Sequence, residues 1–250
     1  MILDIDIGNS LVKWRLINNQ KPVTSGSQST SSIVSGEPLV LQGVISVSEV
    51  RASCVANTTV ITALQHQLFE QFSVSIKMAQ VTVKVGAVTC GYKNPQQLGV
   101  DRWLAIIAAY KKFPERLLVV DAGSAITVDL VNGEGLHLGG YILPGLRLMN
   151  ESLRRGTAAV DVVANSATEL LLPGEDTQQA VNKGCLLAAV AAVEKLVSQH
   201  PSKIVVTGGD AQPLIKGLCL QGKASKLAHC PDLVLDGLSV DDIGLVNLCV

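Results

Sequence analysis

Aromatic residues are scarce in this chain of 250: two Trp, three Tyr and three Phe, 3% in all. A core must therefore be built from Val, Leu, Ile and Ala. With 48% apolar residues, that composition suits buried sheets in a mixed α/β protein. Basic charge is not concentrated either. The formal net charge is −1 and no dense Lys/Arg run occurs, so the electrostatic footprint of a nucleic-acid-binding protein is missing. The longest apolar stretch, Cys185 to Val193, is far too short to cross a bilayer. The opening Met-Ile-Leu-Asp-Ile-Asp has no basic region and meets a carboxylate at once, unlike a secretory signal. Six cysteines (Cys54, Cys90, Cys185, Cys219, Cys230, Cys249) make no Cys-x-x-Cys pair and have no His at zinc spacing. They read as the thiols of a reduced, cytoplasmic protein, with neither nucleic acid nor membrane as partner. His66, His137, His200 and His229 have no catalytic or metal context and read as surface or structural residues.

Common nucleotide-binding signatures are absent too. There is no Gly-x-x-x-x-Gly-Lys-(Ser/Thr) loop, no Gly-x-Gly-x-x-Gly opening a helix after a strand, and no protein-kinase catalytic loop.

What is present begins with a strand, Ile2 to Ile7, stopping at Gly8-Asn9-Ser10. A second strand from Leu11 to Ile17 and a third extended piece after Asn18-Asn19 suggest a meander. Thr24 to Gly36, rich in Ser, Gly and Thr, reads as a loop or weak edge region. Leu41 to Val47 reads as a strand and Val74 to Met78 as another. Between them Val60, Ile61, Leu64, Leu68 and Phe72 recur at helical spacing within Thr58 to Phe72. Val83 to Leu98 is irregular and leads to a helix over Asp101 to Lys112. A second meander follows: Leu117 to Asp121, Ala125 to Val131, an Asn132-Gly133 hairpin signal, and Leu136 to Leu143. Then come a helix from Leu146 to Arg155, a polar loop, and a long helix to Ser198 opened by an Asp176/Gln179 capping box. The end reads strand (Lys203 to Val206), Gly-Gly turn, helix, short strand and final helix.

One feature organises this layout. The first hairpin reads Asp6-Ile7-Gly8-Asn9-Ser10-Leu11-Val12, and the second reads Asp121-Ala122-Gly123-Ser124-Ala125-Ile126-Thr127. Each is an apolar strand ending in Asp-x-Gly that turns at once into another strand. A duplicated unit predicts two pseudo-equivalent domains facing each other across a cleft, 1–114 and 115–250, with the boundary near Lys112 to Arg116. Glycine in a tight turn lets backbone approach a ligand closely. Small polar neighbours such as Asn9, Ser10, Ser124 and Thr127 add donors, so the turn can hold phosphate oxygens as an anion-binding nest does. An Asp ending a buried strand needs a partner, and the cation accompanying a phosphate can be that partner. A single such hairpin reads more readily as a plain β-turn; two at matching places point to a nucleotide cleft. Thr207-Gly208-Gly209-Asp210 is either an ordinary strand-to-helix turn or the lining of an adenosine pocket.

The order Asp-x-Gly-Asn-Ser, Asp-x-Gly-Ser-Ala, Thr-Gly-Gly-Asp resembles the actin/hexokinase/Hsp70-like ATPase superfamily. Within it the chain resembles the type III pantothenate kinases. Four further elements carry that match: Gly91-Tyr92-Lys93-Asn94-Pro95, Leu98-Gly99-Val100-Asp101-Arg102-Trp103, Gly139-Gly140-Tyr141-Ile142-Leu143-Pro144-Gly145, and Thr177 ahead of Ala180 and Gly184. The resemblance runs from Asp6 to Asp210. It implies two tandem ribonuclease H-like (actin-like ATPase) domains, each a mixed central sheet flanked by helices. It also implies phosphorylation of pantothenate by ATP, with Mg²⁺ and a monovalent cation (K⁺ or NH₄⁺), in a homodimer whose substrate pocket lies near the subunit interface. By position, Asp6, Ile7, Gly8, Asn9, Ser10, Leu11, Val12 and Lys13 would hold the ATP phosphates, joined by Ser124. Tyr92, Gly99, Val100, Asp101, Arg102 and Thr177 would surround pantothenate. Asp101 resembles the catalytic base and Asp121 the monovalent-cation site. Ser124 stands where many members have Thr and keeps the hydroxyl.

The residues themselves leave some choices open. Asp101 is either an N-terminal helix stabiliser or a base near an acceptor hydroxyl. Arg102 is either half of a surface pair with Asp101 or a bidentate clamp for a carboxylate. Lys13 either reaches the γ-phosphate or is a solvated strand residue, and Tyr92 is a pocket wall or a core aromatic. Two other readings stay in play: a kinase of the same superfamily acting on another small molecule, and a non-catalytic ATP-binding regulatory protein. Gly99 to Arg102 discriminates the first, and the presence of Asp101 argues against the second.

Overall fold

Strict alternation builds the first strand. In β1 (Ile2–Ile7) Leu3, Ile5 and Ile7 are fully buried on one face, and Asp4 and Asp6 take the other. A computed structural model describes residues 1–41, 44, 46–156 and 172–248. After β1 come β2 (Leu11–Asn18), β3 (Lys21–Ser29), the short helix α1 (Thr30–Val34), β4 (Glu49–Cys54), α2 (Thr58–Phe72) and β5 (Ile76–Gln80). A small hairpin, β6 (Lys84–Val85) with β7 (Val88–Thr89), and a 3₁₀ turn at Pro95–Gln97 lead to α3 (Val100–Lys112). The chain continues through β8 (Leu117–Ala122), β9 (Ala125–Val131), β10 (His137–Pro144), α4 (Leu146–Gly156), α5 (Thr177–Gln199), β11 (Lys203–Thr207), α6 (Ala211–Leu220) and β12 (Leu227–His229). It closes with α7 (Leu233–Leu238) and β13 (Gly244–Asn247).

Two compact units result, one of residues 1–108 with 233–250 and the other of residues 109–232. In the first, the strand order is β13-β5-β4-β1-β2-β3. Strands β1, β2 and β3 form an antiparallel meander, whereas β4 joins β1, and β5 joins β4, in parallel. In the second, the order is β10-β9-β8-β11-β12, again an antiparallel meander followed by two parallel strands. Counted from its own first strand, the second sheet reads 3-2-1-4-5, and the first shares that order with β13 added beyond its fifth strand. The duplication inferred from two short motifs extends to the whole sheet. The sequence expectation gave the last residues to the second half; β13 instead extends the first sheet, antiparallel to β5.

Each sheet has its own aliphatic core. Leu3, Ile5 and Ile7 pack with Val12, Trp14 and Leu16 of β2 against Ile33 of α1 and Val60, Leu64 and Leu68 of α2. Asn57 caps α2 by accepting from the Thr59 N–H. In the second unit, Leu118, Val120, Ile126 and Val128 pack against Leu186, Val190 and Val193 of α5 and Leu214 and Leu218 of α6.

The differences from the sequence expectations have local causes. No strand runs through the described residues of 41–47; 42, 43 and 45 lie outside the described set. Leu41, Val44 and Val47 are buried there without sheet pairing, at a spacing of three. The strand comes later, at Glu49–Cys54, where Glu49, Arg51 and Ser53 hid it from an apolar search. The Ser-rich stretch from Thr24 holds edge strand β3 and then α1, polar because it is exposed along most of its length. Asn132-Gly133 belongs to a five-residue connection, 132–136, in which the Asn132 side chain accepts from the N–H groups of Glu134 and Leu136. The strand expected at Val74 to Met78 runs from Ile76 to Gln80. The polar loop expected after Arg155 lies largely outside the described residues.

The second face of the first sheet is polar. Asp4, fully buried, sits in register between Arg15 of β2 and Arg51 of β4. Arg51 approaches Asp4 to 2.7 Å and Arg15 to 3.6 Å; Arg15 also reaches Asp236 of α7 at 2.6 Å, and the Ser239 hydroxyl donates to Asp4 at 2.9 Å. Burial pushes the Asp4 carboxyl up from its usual range, while Arg51 first, then Ser239 and Arg15, pull it back. This network ties α7 to β1, β2 and β4. Removing one member of a buried ion pair leaves charges uncompensated, at about 3–5 kcal/mol. Asp4→Ala should destabilise the first unit by that amount in urea denaturation followed by Trp fluorescence, since Trp14 and Trp103 both lie in it. A loss below about 1 kcal/mol would mean that the network is no stronger than a surface pair.

Candidate active site

The first hairpin turns in four residues. Ile7 pairs with Val12, and the Gly8 N–H donates to the Leu11 carbonyl at 3.0 Å. A Cβ on Gly8 would lie 3.0 Å from that same oxygen. The turn is held from behind by Thr30 at the start of α1. Its hydroxyl donates to the Gly8 carbonyl at 2.8 Å and its N–H to the Ser10 carbonyl at 3.0 Å. The Val55 N–H donates to the Ile7 carbonyl at 3.2 Å. With four carbonyls engaged by protein donors, and exposed Asn9 with half-buried Ser10 at the tip, the remaining polarity suits phosphate oxygens. Lys13 lies opposite Asp6 in the antiparallel register and is partly exposed. Thr30 was not singled out from sequence, because it lies in the Ser-rich stretch read as loop or edge.

The second hairpin is one residue tighter. Ala122 pairs with Ile126, and the Gly123 N–H donates to the Ala125 carbonyl at 3.0 Å. Asp121 consequently faces Thr127 where Asp6 faces Lys13. Two glycines outside the turn hold it. The Gly145 N–H donates to the Ser124 carbonyl at 3.2 Å, and a Cβ there would lie 2.5 Å from the Gly123 and Ser124 carbonyl oxygens. Gly208, at φ +96°, has no room for a Cβ beside the Ala122 carbonyl and the Asp121 carboxylate. The Asp210 N–H donates to the Ala122 carbonyl at 2.8 Å. The Thr207 to Asp210 turn thus packs directly on the second hairpin. Burial pushes the Asp210 carboxyl up, and the Arg147 guanidinium opposes it.

The third grouping surrounds the start of α3. Asn94 caps the 3₁₀ turn by accepting from the Gln96 N–H, and the Gly99 carbonyl accepts from the Trp103 N–H at 3.0 Å to begin the helix. Fully buried Trp103 anchors that helix in the core. Asp101 sits in the first turn of the helix, where backbone N–H groups lack intrahelical partners. Its Oδ1 accepts from the Arg102 N–H at 2.8 Å. Arg102 is only 6% exposed, which removes the surface-pair reading. Its Nη1 donates to the Tyr92 hydroxyl at 3.2 Å, and its guanidinium carbon stands 5.8 Å from the Tyr92 ring centre. Tyr92, Gly99, Asp101 and Arg102 therefore form one group, with Val100 adjoining in the chain. Thr177 does not join them within the first unit. It opens α5 after the Asp176 cap and lines a groove of about 540 Å³ with Met149, Leu153, Val181 and Gly184.

The described cysteines are free thiols, and Cys249 lies outside the described residues. Burial pushes the thiols of Cys54 and Cys185 up, so neither is a ready nucleophile. Among the described residues, no three His, Cys, Asp or Glu side chains group to hold a metal on their own, and no helix is long and apolar enough to cross a membrane.

Two mixed sheets that share the order 3-2-1-4-5, each with an Asp-x-Gly hairpin on its first two strands, define the actin/hexokinase-like fold. Solved structures with this fold include a Campylobacter jejuni protein carrying a Baf family transcriptional activator name, at TM-score 0.58 and 22% identity over 94% of both chains. Another, from Sinorhizobium meliloti and named for 2-dehydro-3-deoxygalactonokinase, matches at TM-score 0.58 and 11% identity over 96% of this chain and 97% of its own. These likenesses concern the fold. At the level of sequence the chain belongs to the type III pantothenate kinase family, whose model matches residues 2–199. A Type III pantothenate kinase from Chromohalobacter salexigens is 40% identical, covering 95% of this chain and 86% of the relative.

A Cβ on Gly99 would fall 2.6 Å from Asp101 Oδ1. Gly99→Ala should therefore displace that carboxylate while changing stability by no more than about 1 kcal/mol. Steady-state kinetics of a folded variant should show turnover lowered roughly 100-fold, as expected when a reacting group shifts by about an ångström. Unchanged turnover would show that the Asp101 position is not needed.

Proposed function

We propose that this protein transfers the γ-phosphoryl group of ATP to the hydroxyl of pantothenate, the first step toward coenzyme A. The observation that carries the reading is the group at the start of α3: a carboxylate in the first helical turn beside a buried guanidinium braced on Tyr92. In this reading Arg102, with Tyr92, binds the pantothenate carboxylate in the planar manner that guanidinium favours. Asp101 orients the acceptor hydroxyl and takes its proton. The hydroxyl oxygen forms a bond to the γ-phosphorus as the bond from that phosphorus to the bridging oxygen of ADP breaks, and ADP leaves. Gly99 and Val100 complete the substrate contacts within the first unit.

Asp6 to Lys13 would bind the ATP phosphates. The engaged carbonyls of the first turn support this assignment. Asp6 would help to hold Mg²⁺, which would supply charge neutralisation at the phosphates when bound. Asp121 would hold the K⁺ or NH₄⁺ ion, a role supported by the closeness of Gly208 to its carboxylate. A homodimer belongs to the same reading, supported by the exposed apolar side chains of Tyr141, Ile142, Leu148, Leu153 and Leu187. A cytoplasmic location belongs to the same reading.

ADP release measured with ATP, Mg²⁺, K⁺ or NH₄⁺ should depend on pantothenate. Asp101→Asn should keep its affinity for ATP and lose turnover by roughly 100- to 10,000-fold. A robust rate only on another acceptor would overturn the substrate assignment. Near-normal turnover of Asp101→Asn would remove that residue from the chemistry.

A further inference from the structure

Two polar rows cross the first sheet on the face away from its aliphatic core. The inner row, Arg15–Asp4–Arg51, is internally satisfied at its centre: Arg51 Nε donates to Asp4 at 2.8 Å, Arg51 Nη2 donates to the Ser239 hydroxyl at 3.3 Å, and Ser239 donates to Asp4. The outer row lies two residues nearer the first Asp-x-Gly turn. By register it is Lys13 on β2, Asp6 on β1 and Ser53 on β4. Adjacent strands lie about 4.8 Å apart and in-register side chains share a face, so Ser53 and Asp6 are neighbouring residues on that face, with no hydrogen bond from the Ser53 hydroxyl to the Asp6 carboxylate in this structure.

Ser53 is fully buried, and its hydroxyl has no hydrogen-bond partner among the described residues. The donors of Arg51, two residues away, are directed to Asp4 and Ser239. A hydroxyl shut away from water without a partner costs stability, and alanine would occupy the same place without that cost. Such a group suits a bound, hydrated ligand at the end of the strand, beside the turn whose polarity favours phosphate.

We propose that Ser53 is a positioning residue for the hydrated divalent cation that accompanies ATP. Its hydroxyl donates to the Asp6 carboxylate and accepts from a cation-bound water, fixing the orientation of Asp6 at the mouth of the turn. The inference rests on the first turn being the nucleotide site.

The test compares Ser53→Ala and Ser53→Thr with the unaltered protein. Thermal denaturation without ligand is combined with calorimetric binding of a non-hydrolysable ATP analogue across a Mg²⁺ titration. Ser53→Ala should melt at or above the unaltered protein. It should nevertheless need roughly 10-fold more Mg²⁺ for half-maximal analogue binding, in line with the usual effect of removing an outer-shell partner. Analogue binding without Mg²⁺ should be unchanged, and Ser53→Thr, which keeps the hydroxyl, should restore the Mg²⁺ requirement. An unaltered Mg²⁺ requirement in Ser53→Ala overturns the proposal. So does a lowered melting temperature with equal weakening of binding with and without Mg²⁺, the mark of a purely structural serine. If the unaltered protein binds no analogue at all, the nucleotide site fails and this inference fails with it.

Discussion

A carboxylate that ends a buried strand and is followed at once by a tight reversal is the constraint on which the rest depends. Asp6 and Asp121 both stand two residues before a glycine, and both chains of contact around them serve to hold the reversal. At the first turn Thr30 and Val55 engage the carbonyls of Gly8, Ser10 and Ile7. At the second, Gly145 and Asp210 engage those of Ser124 and Ala122. The donors come from different elements in the two units, yet the outcome is alike: carbonyl oxygens are taken up, which favours an anion at the turn. Beneath the first turn, the buried Arg15–Asp4–Arg51 layer fixes the pleat from which Asp6 projects.

The acceptor side rests on a different device. Gly99, whose missing side chain makes room for the Asp101 carboxylate, lets α3 begin with that acid against its own first N–H groups. Tyr92 reaches the site only because the irregular segment before α3 is pinned by the Asn94 cap and the Pro95–Gln97 turn. Buried Arg102 is therefore held by ring and hydroxyl rather than by solvent. A site of this kind is pre-ordered, so little side-chain entropy remains to be lost on binding a planar anion.

Much of this was legible in the sequence because the signals were local. Helix Thr58–Phe72 and strands Ile2–Ile7 and Ala125–Val131 follow from apolar periodicity alone. The twin Asp-x-Gly motifs announced a duplication that the matching strand orders extend to whole sheets. What escaped was set by tertiary context. Strand Glu49–Cys54 carries Arg51 and Ser53 on a buried polar face, so its hydropathy is low although its burial is high. Edge strand β3 and helix α1 are polar because one is at a sheet edge and the other is a single short turn. The return of Gly244–Asn247 to the first sheet is a non-local pairing with Ile76–Gln80, which no periodicity reveals. Arg102 gave no sign of its burial, because a charged residue beside an acid reads the same on a surface or in a core.

The central claim is that a glycine reversal with its carbonyls turned to the protein receives the phosphates of ATP. A crystal structure with Mg²⁺ and a non-hydrolysable ATP analogue tests it most directly. Phosphate oxygens are expected at about 3 Å from donors of residues 8 to 11. A triphosphate bound elsewhere, with that turn bare, would contradict it.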